Sequence, residues 1–79
     1  MTVDITAEKR VVGIKQTKKA LSDGKVRSVI IARDAEKRVT APLIELCEKL
    51  GVTISYADTM KELGSVCGID VGAAVVALI

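Results

Sequence analysis

Three short apolar stretches limit what this chain can fold into more than anything else in it. They are "VRSVIIA" at residues 26–32, "VTISYA" at 52–57 and "AAVVALI" at 73–79. The first and last are runs of β-branched and small apolar residues without clean alternation, the pattern of a strand covered on both faces. The middle one alternates Val52, Ile54 and Tyr56 with Thr53 and Ser55, the pattern of a strand with one buried face. Between them the period changes to that of a helix. Residues 15–22 read as one helix, ended by "SDG" with Gly24 as its C-terminal cap. A second helix carries Leu43, Leu46, Cys47 and Leu50 at i, i+3, i+4 and i+7, one inward stripe closed by Gly51. Its expected N-cap is Thr40. Pro42 then falls in the first turn, where a missing N–H does little harm, and "RDAEKRVT" before it is a charged connection. Thr59 and Glu62 have the spacing of a capping box for a third helix, with Met60, Leu63 and Cys67 inward and Gly68 at its end. Val11 and Val12 form a brief leading strand that Gly13 breaks.

Alternation of this kind predicts an α/β sandwich, a central sheet with helices on both faces. Seventy-nine residues allow one domain, expected to run over 1–79. Nearly half of them are apolar, enough to offset the entropy of ordering, so the chain is not disordered. Tyr56 is the one aromatic, and the core is therefore aliphatic.

The same composition removes several functions. There is no histidine, and Cys47 and Cys67 match no CxxC pattern, so no metal site is expected and the thiols read as buried and inert. No pair of acids stands out for general acid–base work, and no second glycine precedes a Lys-Ser or Lys-Thr pair as a phosphate-cradling loop requires. No catalytic residue, cofactor or small-molecule substrate is expected. The chain opens without a basic-then-apolar order, and no apolar run reaches the roughly 20 residues of a membrane span. The expectation is a reduced, cytoplasmic protein with no membrane partner.

What remains is charge, and it is unevenly placed. Residues 1–33 hold eight Lys or Arg against three acids, whereas residues 34–79 hold four against seven. Much of the excess falls in "GIKQTKKAL", residues 13–21. On a helix turning about 100° per residue, Lys15, Lys18 and Lys19 share one sector, Gln16 lies at its edge, and Thr17, Ala20 and Leu21 point the other way. Cations in the first turns oppose the helix dipole and repel one another. A docked anion relieves both conflicts, because free N–H groups and ammoniums converge on it. A solvated basic face is the competing reading of this segment. In the loop "GIDVGAA", Ile69 and Val71 either tuck under as core plugs or form an apolar lip against an unstacked base, and spacing alone does not choose.

Several segments together, in order and spacing, resemble a known family. Gly13-Ile14-Lys15-Gln16-Thr17-Lys18-Lys19, then "SVIIARDA", "LCEKLGV" and "LGSVCGIDVGAAVVALI" are similar to the L-seven-Ae family of kink-turn RNA-binding proteins, most of all to its small stand-alone bacterial members. The resemblance covers about residues 5–79. It implies a three-layer α-β-α sandwich with a four-stranded mixed sheet. It also implies binding to kink-turns, sharply bent RNA duplexes with tandem sheared G·A pairs, by a monomer.

In that family a G-x-N-E-x-x-K segment at a helix N-terminus enters the major groove beside the G·A pairs. By resemblance, Gly13 stands for the glycine, Lys15 for the Asn, Gln16 for the Glu and Lys19 for the Lys. Ile14 lies within the segment, and Lys18 is a phosphate contact or a solvated bystander. The family's apolar loop before the last strand matches Ile69, Asp70, Val71 and Gly72. Two departures stand out. Lys15 and Gln16 add positive charge, which predicts steeper salt dependence. Gly72 stands where archaeal members carry proline, which predicts a more mobile loop. The expected partner is structured RNA containing kink-turns. A ribosome is a second candidate partner, with the chain as a ribosome-associated or assembly module that uses its basic face for rRNA. A third reading, weaker because no catalytic domain is present, is the substrate-binding half of an RNA-modifying enzyme.

Overall fold

In a computed structural model of the protein, residues 10–68 and 72–79 are described. Seven elements follow in order: β1 (Arg10–Val12), α1 (Ile14–Ser22), β2 (Ser28–Ala32), α2 (Lys37–Leu50), β3 (Thr53–Ala57), α3 (Met60–Val66) and β4 (Val75–Leu78). The strands form one mixed sheet in the order β1-β4-β2-β3. β2 and β3 run parallel, joined by the crossover through α2, and β4 lies antiparallel to both β1 and β2. This is the expected architecture.

The two central strands explain the unalternating apolar runs. Val29 and Ile31 of β2 and Val75 and Ala77 of β4 pack with Leu21, Leu43 and Cys47 from α1 and α2 on one side of the sheet. Ala32 of β2 and Val76 of β4 point the other way and pack with Leu63 and Cys67 of α3. Residues 29–32 of β2 and all of β4 are thus apolar because both faces are covered. Burying a side chain such as Leu43 or Leu63, each fully inside, contributes about 1.5–3 kcal/mol. Cys47 and Cys67 are free, buried thiols in these two separate cores.

The start of α2 is misread from sequence. The helix begins at Lys37, not after Thr40, with Glu36 as the N-cap residue. Thr40 lies inside the helix, buried, with its hydroxyl donating to the Glu36 carbonyl at 3.4 Å. Pro42 is therefore the sixth helical residue and removes the bond its N–H would make to the Arg38 carbonyl. Both residues are exposed, so water reaches the freed carbonyl. The charged connection becomes helical because burial of Ala35 and Thr40 draws its backbone onto the sheet.

Three further residues sit differently from their periodicity. Leu50, the last residue of α2, is 49% exposed, and Tyr56 is 48% exposed. Tyr56 pairs in register with Ile31 and shares its face, but β3 is an edge strand and the outer part of that face is uncovered. The guanidinium of Arg33 lies over the tyrosine ring, 5.0 Å from its centre. Met60, expected inward, is also partly exposed.

Candidate nucleic-acid interface

The sheet order brings three helix starts to one end of the molecule. β1, β2 and β3 each lead into a helix at their C-terminal ends, and antiparallel β4 begins at that same end. Three positive dipole ends therefore gather there. One is answered from within the chain. At α3, the Thr59 hydroxyl accepts from the Glu62 N–H at 3.0 Å, as the capping-box spacing predicts. Asp34, from the β2–α2 connection, accepts from the Met60 N–H at 2.8 Å. At α2, the acidic Glu36 occupies the N-cap, but its side chain makes no capping bond and the first turn holds no acid.

The α1 start lacks even an acid at the N-cap. Its N-cap is Gly13, which has no side chain to cap with, and its first turn holds no acid. Helix geometry leaves the N–H groups of Ile14, Lys15 and Gln16 without intrahelical acceptors. Gly13 has φ 106° and ψ 159°, a region open essentially to glycine alone. A Cβ there would meet nothing within 4 Å, so the requirement lies in the backbone, not in crowding. The Gly13 N–H donates to the Val75 carbonyl at 3.0 Å, while its own carbonyl accepts the first helical bond from Thr17. The turn into α1 is thus bolted to the first residue of β4.

The helical wheel holds in three dimensions. Thr17, Ala20 and Leu21 are buried, Ile14 is half-buried against the α1–α2 side of the core, and Lys15, Gln16, Lys18 and Lys19 are all exposed. Among the described residues none of these lysines is placed in an ion pair. Gln16 and Lys19 also line a shallow cleft of about 210 Å³ with Lys25 and Asp23. Lys25, on the far side of the α1 turn, is a basic neighbour that the segment pattern does not reveal.

Of the apolar loop, Ile69, Asp70 and Val71 lie outside the described residues. Gly72 is exposed, and the residues after it are tied down. The Ala73 N–H donates to the Met60 carbonyl at 3.0 Å, and the Ala74 carbonyl accepts from the Ala32 N–H at 2.9 Å. A Cβ on Gly72 would lie 3.2 Å from the Met60 Cβ, closer than ordinary van der Waals contact. The missing side chain at Gly72 therefore allows close approach to α3, a reason for glycine that the comparison with proline did not supply. Through Val75 and Ala74 the end of this loop and the start of α1 become neighbours, although about 60 residues separate them in sequence.

Arg10 is a further residue that sequence reading passed over. Its guanidinium donates to the Cys67 carbonyl at 2.6 Å, tying β1 to the end of α3 just before the loop. Burial raises the Cys67 thiol pKa, and the adjacent Arg10 charge and hydrogen bond oppose that shift. Burial alone raises that of Cys47. Among the described residues no group of three His, Cys, Asp or Glu could hold a metal ion, and no helix is long and apolar enough to cross a membrane.

Comparison with known proteins agrees with this architecture. The model of the Ribosomal protein L7Ae/L30e/S12e/Gadd45 family matches residues 4–79. An RNA-binding protein of Caldanaerobacter subterraneus subsp. tengcongensis is 59% identical over 69 residues, covering 87% of this chain and 84% of that protein. The RNA-binding protein YbxF of Geobacillus stearothermophilus is 39% identical over 75 residues, covering 95% and 92%. Among solved structures, the Giardia lamblia 15.5kD RNA binding protein superposes with a TM-score of 0.82 at 28% identity, over 87% of this chain and 58% of the longer Giardia chain. A family model spanning nearly the whole sequence, with relatives this similar over almost their full length, places the chain in the Ribosomal protein L7Ae/L30e/S12e/Gadd45 family.

Proposed function

We propose that this chain is a non-enzymatic RNA-binding protein, a single domain over residues 1–79 that acts as a cytoplasmic monomer and recognises kink-turns. Family membership and relatives named as RNA-binding proteins support the RNA. The observation that carries the reading is the uncapped, acid-free start of α1. It has three lysines and Gln16 exposed, and it is anchored at Gly13 beside the start of β4. Phosphates meet both free N–H groups and ammoniums at such a place.

The kink follows from groove geometry. An ordinary A-form duplex has a major groove too deep and narrow for side chains. A sharp bend opens it, and long side chains on a helix end then reach base edges. Gln16 offers both an acceptor and donors to a guanine edge, and Lys19 donates to guanine O6 or N7. Lys15 serves as a base or phosphate contact, Lys18 as a phosphate contact, and Ile14 sets the helix start against the core. Ile69, Asp70, Val71 and Gly72 cover the unstacked loop nucleotide. The protein binds the bent conformer more tightly than the extended one and so shifts the RNA population toward the bend.

A gel-shift titration tests this with a kink-turn RNA and with the same RNA whose G·A pairs are broken. Gln16→Ala and Lys19→Ala are each expected to weaken kink-turn binding by about 1–3 kcal/mol. Unchanged affinity in both variants rules out the α1 surface. Equal binding of the intact and broken RNAs points instead to a ribosome-assembly module that follows rRNA charge.

A further inference from the structure

The one aromatic side chain of the protein is not in its core. Tyr56 stands half-exposed on the edge strand β3, on the wall of a groove of about 430 Å³. The opposite wall is the first half of α2, including Lys37, Ala41 and Ile44, and Ile31 lies between. Arg33 closes the rim, its guanidinium over the Tyr56 ring. The only charged residues lining the groove are Arg33 and Lys37, both cations. The nearby acids are engaged on the rim: Asp58 lies 3.9 Å from Arg33, and Glu36 pairs with Arg38 at 3.0 Å.

An apolar floor, a flat ring-and-guanidinium wall and two cations match the parts of one nucleotide. A base packs on apolar and planar surfaces, and every base has a face for stacking on tyrosine or on guanidinium. A phosphate suits two neighbouring cations: Lys37 has no ion-pair partner among the described residues, and Arg33 meets Asp58 only at 3.9 Å on an exposed rim. One aromatic can hold one base, but it cannot hold a strand. A chain of backbone hydrogen bonds joins one lining residue of the groove to the turn into α1. Ala32 lines the groove, and the Ala32 N–H bonds to Ala74, which precedes the Val75 carbonyl that anchors Gly13.

We propose that the groove between α2 and β3 holds a single unpaired nucleotide of the bound RNA. Its base lies against Ile31, Ile44 and the Arg33–Tyr56 wall, and its phosphate lies between Arg33 and Lys37. The source of that nucleotide rests on the RNA-binding reading, but the site is testable apart from it. Amide NMR titrations of the full chain would use adenosine and uridine 5′-monophosphates, with inorganic phosphate and the free nucleosides as separate arms. The expected result is shifts centred on Arg33, Lys37 and Tyr56, with phosphate alone and nucleoside alone each at least about tenfold weaker. Tyr56→Ala and Lys37→Ala, both at exposed positions that the fold does not need, are each expected to weaken nucleotide binding about tenfold. Gln16→Ala should leave the response intact. Three outcomes overturn the proposal: shifts confined to residues 14–19, an equal response to inorganic phosphate, or no effect of Tyr56→Ala. If the groove binds nucleotides while kink-turn RNA does not bind at all, the α1 reading fails and the groove stands. The converse pair of results removes the groove alone.

Discussion

Helices α1 and α3 start at the same end of the same sheet, and the chain finishes those two starts in opposite ways. α3 is closed from within. Thr59 caps it, Asp34 reaches across from another connection, and Glu62 brings an acid to its first turn. α1 is left open, with a glycine for a cap, no acid and three exposed lysines. Stability alone favours the α3 arrangement, since caps and first-turn acids each contribute up to about 1 kcal/mol. An end that forgoes both is the feature on which the proposed RNA interface rests.

The contrast can be broken one residue at a time. The largest stability effect is expected from Gly13→Ala, which forces a Cβ into a backbone region costing about 1–3 kcal/mol. Urea denaturation measures it. Because no atom crowds that position, a loss well below 1 kcal/mol would mean that the turn relaxes and the Gly13–Val75 bond does not set it. Next is Thr59→Ala, expected to cost about 1 kcal/mol in the same titration while leaving kink-turn affinity unchanged. A matching loss of RNA binding would show that the closed end takes part in recognition after all.

Lys15→Glu makes the open end resemble the closed one, and its two effects have opposite signs. Stability should rise by about 0.3–1 kcal/mol as the dipole conflict is removed, while RNA affinity falls. The milder Lys15→Ala should also flatten the salt dependence of RNA binding by about one unit of slope. A chain that is both more stable and equally good at binding RNA would remove Lys15 from the interface.

The smallest effect at neutral pH comes from the thiols and compares the two cores. A thiol pKa raised by folding means that the unfolded thiol ionises first as pH rises. Stability is therefore flat below the ordinary thiol pKa of about 8.5 and falls above it, until the folded pKa is reached, by at most about 1.4 kcal/mol per pH unit for each thiol. Cys47 should account for more of this loss than Cys67, because Arg10 opposes the shift at Cys67. Urea titrations at increasing pH check it, with Cys47→Ala expected to remove more of the alkaline loss than Cys67→Ala.

Much of this was legible from local pattern. The inward and outward sectors of α1 follow from an angle of 100° per residue, and the burial of Thr17, Ala20 and Leu21 agrees residue by residue. The cap at Thr59 is a contact between residues three apart, so spacing alone predicts it. Gly24 and Gly51 have the positive φ expected after helix ends. The errors lie where a distant surface outvotes the local signal. Thr40 is a good N-cap and Pro42 a good first-turn residue, yet α2 starts a turn earlier because burying Ala35 and Thr40 outweighs one lost backbone bond. Tyr56 keeps strand alternation and still emerges into solvent, because β3 is an edge strand.

The sequence by itself determined the order of helices and strands, the inward face of α1, and that a cluster of cations sits at the start of α1. Each of these depends on residues within a few positions of one another, where rise, turn angle and capping geometry set the outcome. Only the tertiary structure decided that β4 lies between β1 and β2, and with it that the Val75 carbonyl holds Gly13 beside the end of the loop. Strand order is a competition among non-local pairings, judged by how well two apolar faces are covered at once. No window of sequence contains both sides of that competition.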